Sequence, residues 1–450
     1  MSLLDGDSCE CVKSELDLFN LPPTQTSVEE TRFEKYYPLT SLDRGGPLEF
    51  KIVSSDREYI DPEYIFLYMQ VRILDEDGEQ LEAAGTGETK IPDDSVVFPV
   101  NYFHAACFKS IEVQLNGKSV CGNDTLYPFR AMLELLLSYN AASKIEHLRC
   151  AMFYKDVGDP EACDERVEKL KSTENRGATA RFMRSQYSKC FETMGRLHGE
   201  IFSQGKLLLS KVNMNIKLQR ADPSFALMAK TNTNRYVISI DKAILYVCHK
   251  KISDSVREAH ELALLTKNAK YPVRKVQMKF FTRGANRNDL SEPNLVNGVL
   301  PRRVVFTLID SGAFNGDLNK NPFNFQSFEV GHIALRKNGQ PIPFEGIDLD
   351  YDEDLVLQGY LTLLHGTGRL FKNSDQSIDP FTDFKNGHAI YVFDLTPDHS
   401  DGNSFNLIEE GNISLDIQLK SPSTSGVTIL TYIEYDGLIS IDSTRSVYYE

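Results

Sequence analysis

Nine histidines are the first place to look for chemistry: His104, His147, His198, His249, His260, His332, His365, His388 and His399. A metal centre on the inner face of a β-barrel needs two histidines one residue apart, plus a glutamate and a later histidine on strands. No HxH pair occurs, and isolated histidines of this kind are usually structural. The run Asp348-Leu349-Asp350-Tyr351-Asp352-Glu353-Asp354 starts like a calcium loop. However, Glu353 stands where the loop needs glycine, and Gly359 where its bidentate glutamate belongs, so the run reads as a solvated acidic loop. Cys9-Glu10-Cys11 has no second cysteine pair at zinc spacing. GxxxxGK[ST], GxGxxG and GxSxG sequences are all absent, which removes support for phosphate cradling and for a nucleophile elbow. Asn123-Asp124-Thr125 and Asn412-Ile413-Ser414 match glycosylation sequons, but with no signal peptide they read as chance matches. These residues point to no catalytic, cofactor-binding or metal-binding site, and to a chain that is not an enzyme.

Two stretches suggest assembly instead. Residues 1–30 are polar and end in Leu21-Pro22-Pro23-Thr24-Gln25-Thr26-Ser27-Val28; adjacent prolines favour an extended path. The stretch reads either as a disordered tail or as an arm lying along a neighbouring subunit. Residues 267–303 carry nine basic side chains, including Lys270, Arg274, Lys275, Lys279, Arg302 and Arg303, against Asp289 and Glu292 alone. That run reads as a charged subunit or domain interface, or as a surface facing packaged nucleic acid.

The elements that would hold such surfaces are strands. Ile111, Val113 and Leu115 alternate with Glu112 and Gln114, the period of a half-buried strand, and Asn116-Gly117 follows with the residues of a tight hairpin. Pro128 then opens an apolar run to Tyr139, long enough for about three helical turns. Val212, Met214, Ile216 and Leu218 give the cleanest alternation. Further strands are predicted at 47–53, 64–73 and 236–248, and a helix at 253–267.

The order recurs about 220 residues later. Residues 303–309 take the place of the early strands, and Ile333 and Leu335 precede Asn338-Gly339. A short helix is predicted at 355–364, and Ile413, Leu415, Ile417 and Leu419 match the run at 212–219. Short strands with Gly, Pro and Asn turns and no βαβ alternation indicate an all-β chain. It is read as two tandem eight-stranded antiparallel jelly rolls, a double jelly roll with short helices in its loops. The boundaries are an extended N-terminal arm at 1–30, a first jelly roll at 31–252 with a charged excursion at 141–200, a linker at 253–272, and a second jelly roll at 273–450.

Composition agrees. The 450 residues are 41% hydrophobic and 25% charged, with 26 Phe, 20 Tyr and no Trp. A net charge of -15 argues against wrapping nucleic acid over a broad surface. No apolar run approaches a membrane span. The N-terminus carries acids where a signal peptide needs a basic region, which predicts folding in the cytosol or nucleus. Eight cysteines are too few for a disulfide scaffold, and Cys107 and Cys248 read as small core residues.

The block FPVNYFHAACFKSIEVQLNGKSV followed by YPFRAMLELLLSYN resembles the core signature of double jelly-roll major capsid proteins. The likeness is to those of Polinton (Maverick) elements and adintoviruses, and more distantly to virophage capsid proteins. Residues 21–29, 59–61, 195–198, 220–222 and 268–272 fit the same pattern. The resemblance implies a homotrimer whose six lobes tile an icosahedral shell as a pseudo-hexameric capsomer. It further implies contact with neighbouring capsomers and a penton or minor capsid protein, and with packaged DNA only indirectly; it leaves membrane contact unassigned. Assembly residues would be Pro22, Pro23, Thr24 and Gln25 on the arm, and Arg274, Lys275, Arg302 and Arg303 in the basic run, with no cofactor. The expected location is the virion, after synthesis in the host cytoplasm and assembly in cytoplasm or nucleus. The alternative is a bicupin-like or carbohydrate-binding tandem jelly roll with a ligand in its barrel mouth.

Overall fold

Alternation and turn chemistry produce strands in two sets of eight. A computed structural model describes residues 7–9, 11–42, 45–83, 92, 95–121, 125–161, 175–232, 235–343, 345–373, 376–399 and 404–450. Glu10 of the Cys9-Glu10-Cys11 run, the sequon residues Asn123 and Asp124, and most of the polar loop 85–94 lie outside the described residues.

The first set is β1 (Val28–Tyr36), β2 (Leu48–Ile52), β3 (Glu58–Asp75), β4 (Phe108–Leu115), β5 (Lys118–Cys121), β6 (Phe191–Arg196), β7 (Met214–Arg220) and β8 (Tyr236–Ile252). The second is β9 (Ala269–Arg283), β10 (Glu292–Val299), β11 (Arg303–Asp310), β12 (Val330–Lys337), β13 (Gln340–Pro341), β14 (Ile390–Asp394), β15 (Glu410–Leu419) and β16 (Val427–Ile441). The first lobe stacks a sheet ordered β1-β8-β3-β6 on one ordered β2-β7-β4-β5. The second stacks β9-β16-β11-β14 on β10-β15-β12-β13, with two short added strands, Val447–Tyr449 beside β16 and Ile347–Asp348 beside β12. Adding eight to each strand number of the first lobe gives the second. Every pairing is antiparallel. This is the jelly-roll connection written twice, and the chain is a double jelly roll.

Local chemistry explains the elements. In β7, Met214, Ile216 and Leu218 are buried while Asn215, Lys217 and Gln219 are exposed. Both hairpin turns place consecutive residues in the left-handed region: Asn116 and Gly117 at φ 45° and 85°, Asn338 and Gly339 at 50° and 84°. That pair of conformations matches the right-handed twist of the flanking strands. Helix α1 (Tyr127–Ser138) follows the first hairpin, with Pro128 in its first turn, and α2 (Arg176–Ser185) is capped by the Asn175 side chain on Ala178 N. Helix α3 (Asp254–Leu264) joins the lobes, and α4 (Leu357–Gly366) follows the second hairpin. No helix among the described residues is long and apolar enough to cross a membrane.

Several boundaries differ from the sequence reading. Phe191–Arg196 lies inside the stretch taken as an excursion, yet it is β6, the edge strand paired with β3 from Phe66↔Arg196 to Val71↔Phe191. It is short and holds Gly195, so its alternation is weak. Strand β1 begins at Val28, inside the stretch read as arm, and β9 begins at Ala269, inside the stretch read as linker. Residues 236–252 form one long strand with an irregularity between Ile240 and Lys242. Cys107 is buried in the core as expected. Cys248 is buried too, but it alternates with core residue Val247 and so points to the outer face.

The core lies between the sheets of each lobe. Leu67, Met69, Val71 and Ile73 of β3 are fully buried, as are Val113 and Leu115 of β4 and Leu218 of β7. Each such side chain contributes about 1.5–3 kcal/mol.

Because a Cβ at Gly117 or at Gly339 would meet nothing within 4 Å, substitution there tests backbone conformation alone. Gly117→Val and Gly339→Val should each lower stability by about 1–2 kcal/mol, and Gly117→Asn by less. Guanidinium unfolding curves measure this; a valine variant as stable as the parent would contradict the turn assignment.

Candidate assembly surfaces

The arm leaves apolar side chains in water. Val12, Leu16, Leu18, Phe19 and Leu21 are all exposed, Phe19 at 96% and Leu21 at 91%. Pro22, Pro23 and Thr24 are exposed as well. Gln25 is tied to the start of β1: its amide donates to Val28 O at 3.1 Å and accepts from Val28 N at 2.9 Å. The segment is not extended throughout, since Ser14–Leu16 form a 3-10 turn; its uncovered large side chains gain about 25 cal/mol per Å² when something covers them.

The basic run does not form a basic face. Arg274 pairs with Asp436, and its Nε lies 3.7 Å from Glu434. Arg302 Nη1 stands 3.7 Å from Asp436, and Arg303 Nη1 3.7 Å from Glu434. Lys275 lies over the Tyr449 ring, 5.1 Å from its centroid. Lys279 donates to Leu295 O at 2.7 Å, and Arg283 binds Glu292 at 2.9 Å. The antiparallel β9–β16 and β11–β16 pairings bring Glu434 and Asp436, more than 130 residues downstream, against these cations. Local sequence offered no sign of those partners. Two lysines reach part of the acidic loop: Lys420 Nζ is 2.9 Å from Asp350 and 3.0 Å from Asp352, and Lys385 is 2.6 Å from Asp354. Among the described residues no group of three or more His, Cys, Asp or Glu is set to hold a metal ion.

A seam joins the lobes. Its apolar part is five phenylalanines: Phe129 stacks on Phe314 with centroids 5.4 Å apart and meets Phe225 and Phe323 edge-on, while Phe280 lies 4.9 Å from Phe314. Its polar part centres on Arg130 of α1, bound to Glu134 at 2.8 Å and to Glu200 at 3.0 Å. Glu134 also meets His198 Nδ1 at 2.6 Å, and Tyr102 OH lies 2.7 Å from His198 Nε2. Arg130, Glu134 and His198 share a cleft of about 230 Å³ with Arg274, Val276, Tyr432 and Glu434 of the second lobe. Burial alone would raise the Glu134 carboxyl, but Arg130 and His198 outweigh it and hold the group at about 2. Elsewhere on the seam, Lys144 donates to Ser377 Oγ at 2.6 Å, Gln376 to Leu136 O at 2.9 Å, and Lys155 pairs with Asp383. Outside the signature block these residues were not legible as contacts: some pairs, such as Lys144–Ser377 and Lys155–Asp383, span the two lobes, and others, such as Arg130–Glu200, are far apart in sequence within one lobe.

Around the second lobe, a cleft of about 670 Å³ lies between residues 299–302, 395–397 and 405–409 and the end of β16. It is lined from both sheets of that lobe, by Val299, Lys337 and Ile413 of one and by Tyr435, Asp436 and Leu438 of the other. Its rim includes the exposed Phe405, Leu407 and Ile408.

No family model matches the chain. An uncharacterised protein of Caenorhabditis elegans, F54H12.2, is 24% identical over 433 residues, covering 95% of this chain and 98% of that protein. Among solved structures, a chain of the Sputnik virophage aligns with a TM-score of 0.63 at 12% identity, covering 100% of this chain and 94% of the other. The PBCV-1 virus capsid gives 0.58 at 9% identity over 96% and 99%. The mavirus major capsid protein gives 0.55 at 10% identity over 100% and 97%. At these identities the likeness is one of fold, and it extends over both lobes.

Two expectations follow for the seam. Arg130→Ala leaves Glu200 buried without its cation, which should cost about 3–5 kcal/mol in urea unfolding; a loss below ~1 kcal/mol would show the network to be dispensable. Burial lowers His104 to about 3 and His388 to about 4. Both histidines are therefore neutral when folded and protonate more readily when unfolded, at about 6.5. Their stabilising effect is complete above pH ~6.5 and declines below it by up to about 1.4 kcal/mol per pH unit each, until the folded values are reached. The depressed Glu134 adds a further loss between its ordinary range and about 2. Melting temperature against pH should fall below 6.5, and less steeply for His104→Gln; an unchanged slope would refute the assignment.

Proposed function

We propose that this chain is a major capsid protein, of the kind carried by Polinton (Maverick) elements and adintoviruses. In this reading three copies close into a pseudo-hexameric capsomer that tiles an icosahedral virus-like shell. The observation that carries the proposal is the recurrence of one eight-strand order in both lobes of a single chain. A threefold object built from duplicated lobes presents six comparable corners, which a hexagonal lattice position requires. The structural likeness to virophage and PBCV-1 capsid chains over nearly the whole length supports it. A nematode relative of matching extent suits a gene resident in animal genomes.

The mechanism is assembly. Packed sandwiches make each lobe stiff, the seam fixes the lobes to one another, and the arm, with its uncovered Leu16, Leu18, Phe19 and Leu21, lies along a neighbouring subunit. Further partners are adjoining capsomers and a penton or minor capsid protein. Packaged DNA is met only indirectly, since Arg274, Arg302 and Arg303 are matched by Glu434 and Asp436 and the net charge is -15. The working location is the virion, after synthesis in the host cytoplasm and assembly there or in the nucleus.

Sedimentation of the purified chain should give three times its 50.9 kDa mass, and negative-stain images should show six-lobed, threefold particles. A monomer at micromolar concentration would overturn the reading. Deleting residues 1–24 spares Gln25 and β1; the truncated chain should keep its melting temperature but assemble poorly. Normal capsomers and shells from that variant would remove the arm from the mechanism.

A further inference from the structure

The two lobes share their connections but not the surroundings of their equivalent sheets. In the second lobe, Val304–Asp310 of β11, all of β14 and Val427–Glu434 of β16 are buried without interruption, so both faces of the sheet are covered along these three strands, though not along β9. In the first lobe β3 alternates instead. Ile65, Leu67 and Met69 enter the core, while Tyr64, Phe66 and Tyr68 face out.

The covering of the second sheet comes partly from the first lobe: α1, the helix between β5 and β6, sets Arg130 and Glu134 against Val276, Tyr432 and Glu434. The equivalent helix of the second lobe, α4, lies between β13 and β14. It turns an i,i+4 pair outward, Leu357 at 55% exposure and Leu361 at 38%, with Leu355 just before it. The sheet face that would match it by repetition is the outer face of the first lobe. There Phe33 and Tyr246 each lie with ring centroids 5.5 Å from that of Phe66, and Phe33 is 50% and Tyr64 54% exposed.

We propose that these two open surfaces are partners in different copies of the chain. The α4 side of one second lobe seats on the outer β1-β8-β3-β6 face of the next first lobe. The contact between chains thereby repeats the contact that joins the lobes within one chain. This rests on the trimer reading above and names the faces that close it. Charge favours the same pairing. Lys35 and Lys242 stand on the aromatic face, Lys35 5.8 Å from the Tyr246 centroid; Lys250, 5.9 Å from that of Tyr64, is paired with Asp61 at 2.6 Å, and Glu192 is bound by Tyr68 and Gln70 on the same face. Asp352, Glu353 and Asp354 stand beside Leu355 and α4, and two lysines, Lys420 and Lys385, only partly offset that loop. Such a contact is heterologous, so internal and external seams alternate around a ring that closes after three chains.

Full-length variants test the pairing by sedimentation velocity across a dilution series. Phe33→Asp on one face and Leu357→Asp with Leu361→Asp on the other should each raise the concentration at which trimers dissociate by at least about tenfold, since each buries a carboxylate in an apolar contact. Lys35→Glu with Lys242→Glu, and Asp352→Lys with Glu353→Lys, should each weaken trimers and together restore them. Circular dichroism identifies an apolar variant that has not folded, and the charge exchange then decides. A trimeric parent whose face variants all dissociate at the parent's concentration overturns the pairing alone. Charge reversals that fail to restore one another also overturn it. A monomeric parent overturns the trimer and the pairing together.

Discussion

A sheet that is apolar on both faces needs a cover on each side. The second lobe contains such a sheet: β11, β14 and the first half of β16 carry Val, Phe, Leu, Ile and Tyr at both inward and outward positions. One face is covered by its own sandwich. The other meets the helix and loops of the first lobe, including Arg130, Glu134 and the Glu200–Ser203 turn. The lobes are therefore not two beads on a string; the second acquires its full core only when the first is in place.

The seam uses two kinds of interaction with different roles. Ring contacts among Phe129, Phe225, Phe280, Phe314 and Phe323 contribute about 0.5–1.5 kcal/mol per pair beyond the area they bury. The Arg130, Glu134, Glu200 and His198 network is costlier to form, because charges leave water. Its yield is geometric: a guanidinium bound to two carboxylates accepts few alternative placements of α1 against β9 and β16.

Much of this was legible along the chain. The Asn-Gly turns, the alternating runs at 212–219 and 413–419 and the helix after each hairpin located both lobes, because each depends on neighbours in sequence. Strands β1, β6, β9, β10 and β14 were not legible; β9 was read as linker and basic run. β1 and β6 are edge strands of mixed polarity, β10 holds Pro293 and Gly298, and β14 is too short to show a period. The partners of the basic run were hidden for a different reason: Arg274, Arg302 and Arg303 look unopposed until β16 folds back and brings Glu434 and Asp436 beside them. Nor could the asymmetry of the two equivalent sheets be read as a functional difference, although the continuous run Val304–Ile309 and the alternating run Tyr64–Ile73 record it.

Helix α3 is a tether as well as a connection. A short covalent link holds two partners at an effective concentration of the order of millimolar, whatever the dilution outside. Closure of the seam within a chain is then a first-order event, set by folding alone. Any meeting between separate chains is second-order or higher and waits on how much protein a cell has made. The duplicated architecture thus splits one kind of joint into an early, supply-independent half and a late half that senses abundance.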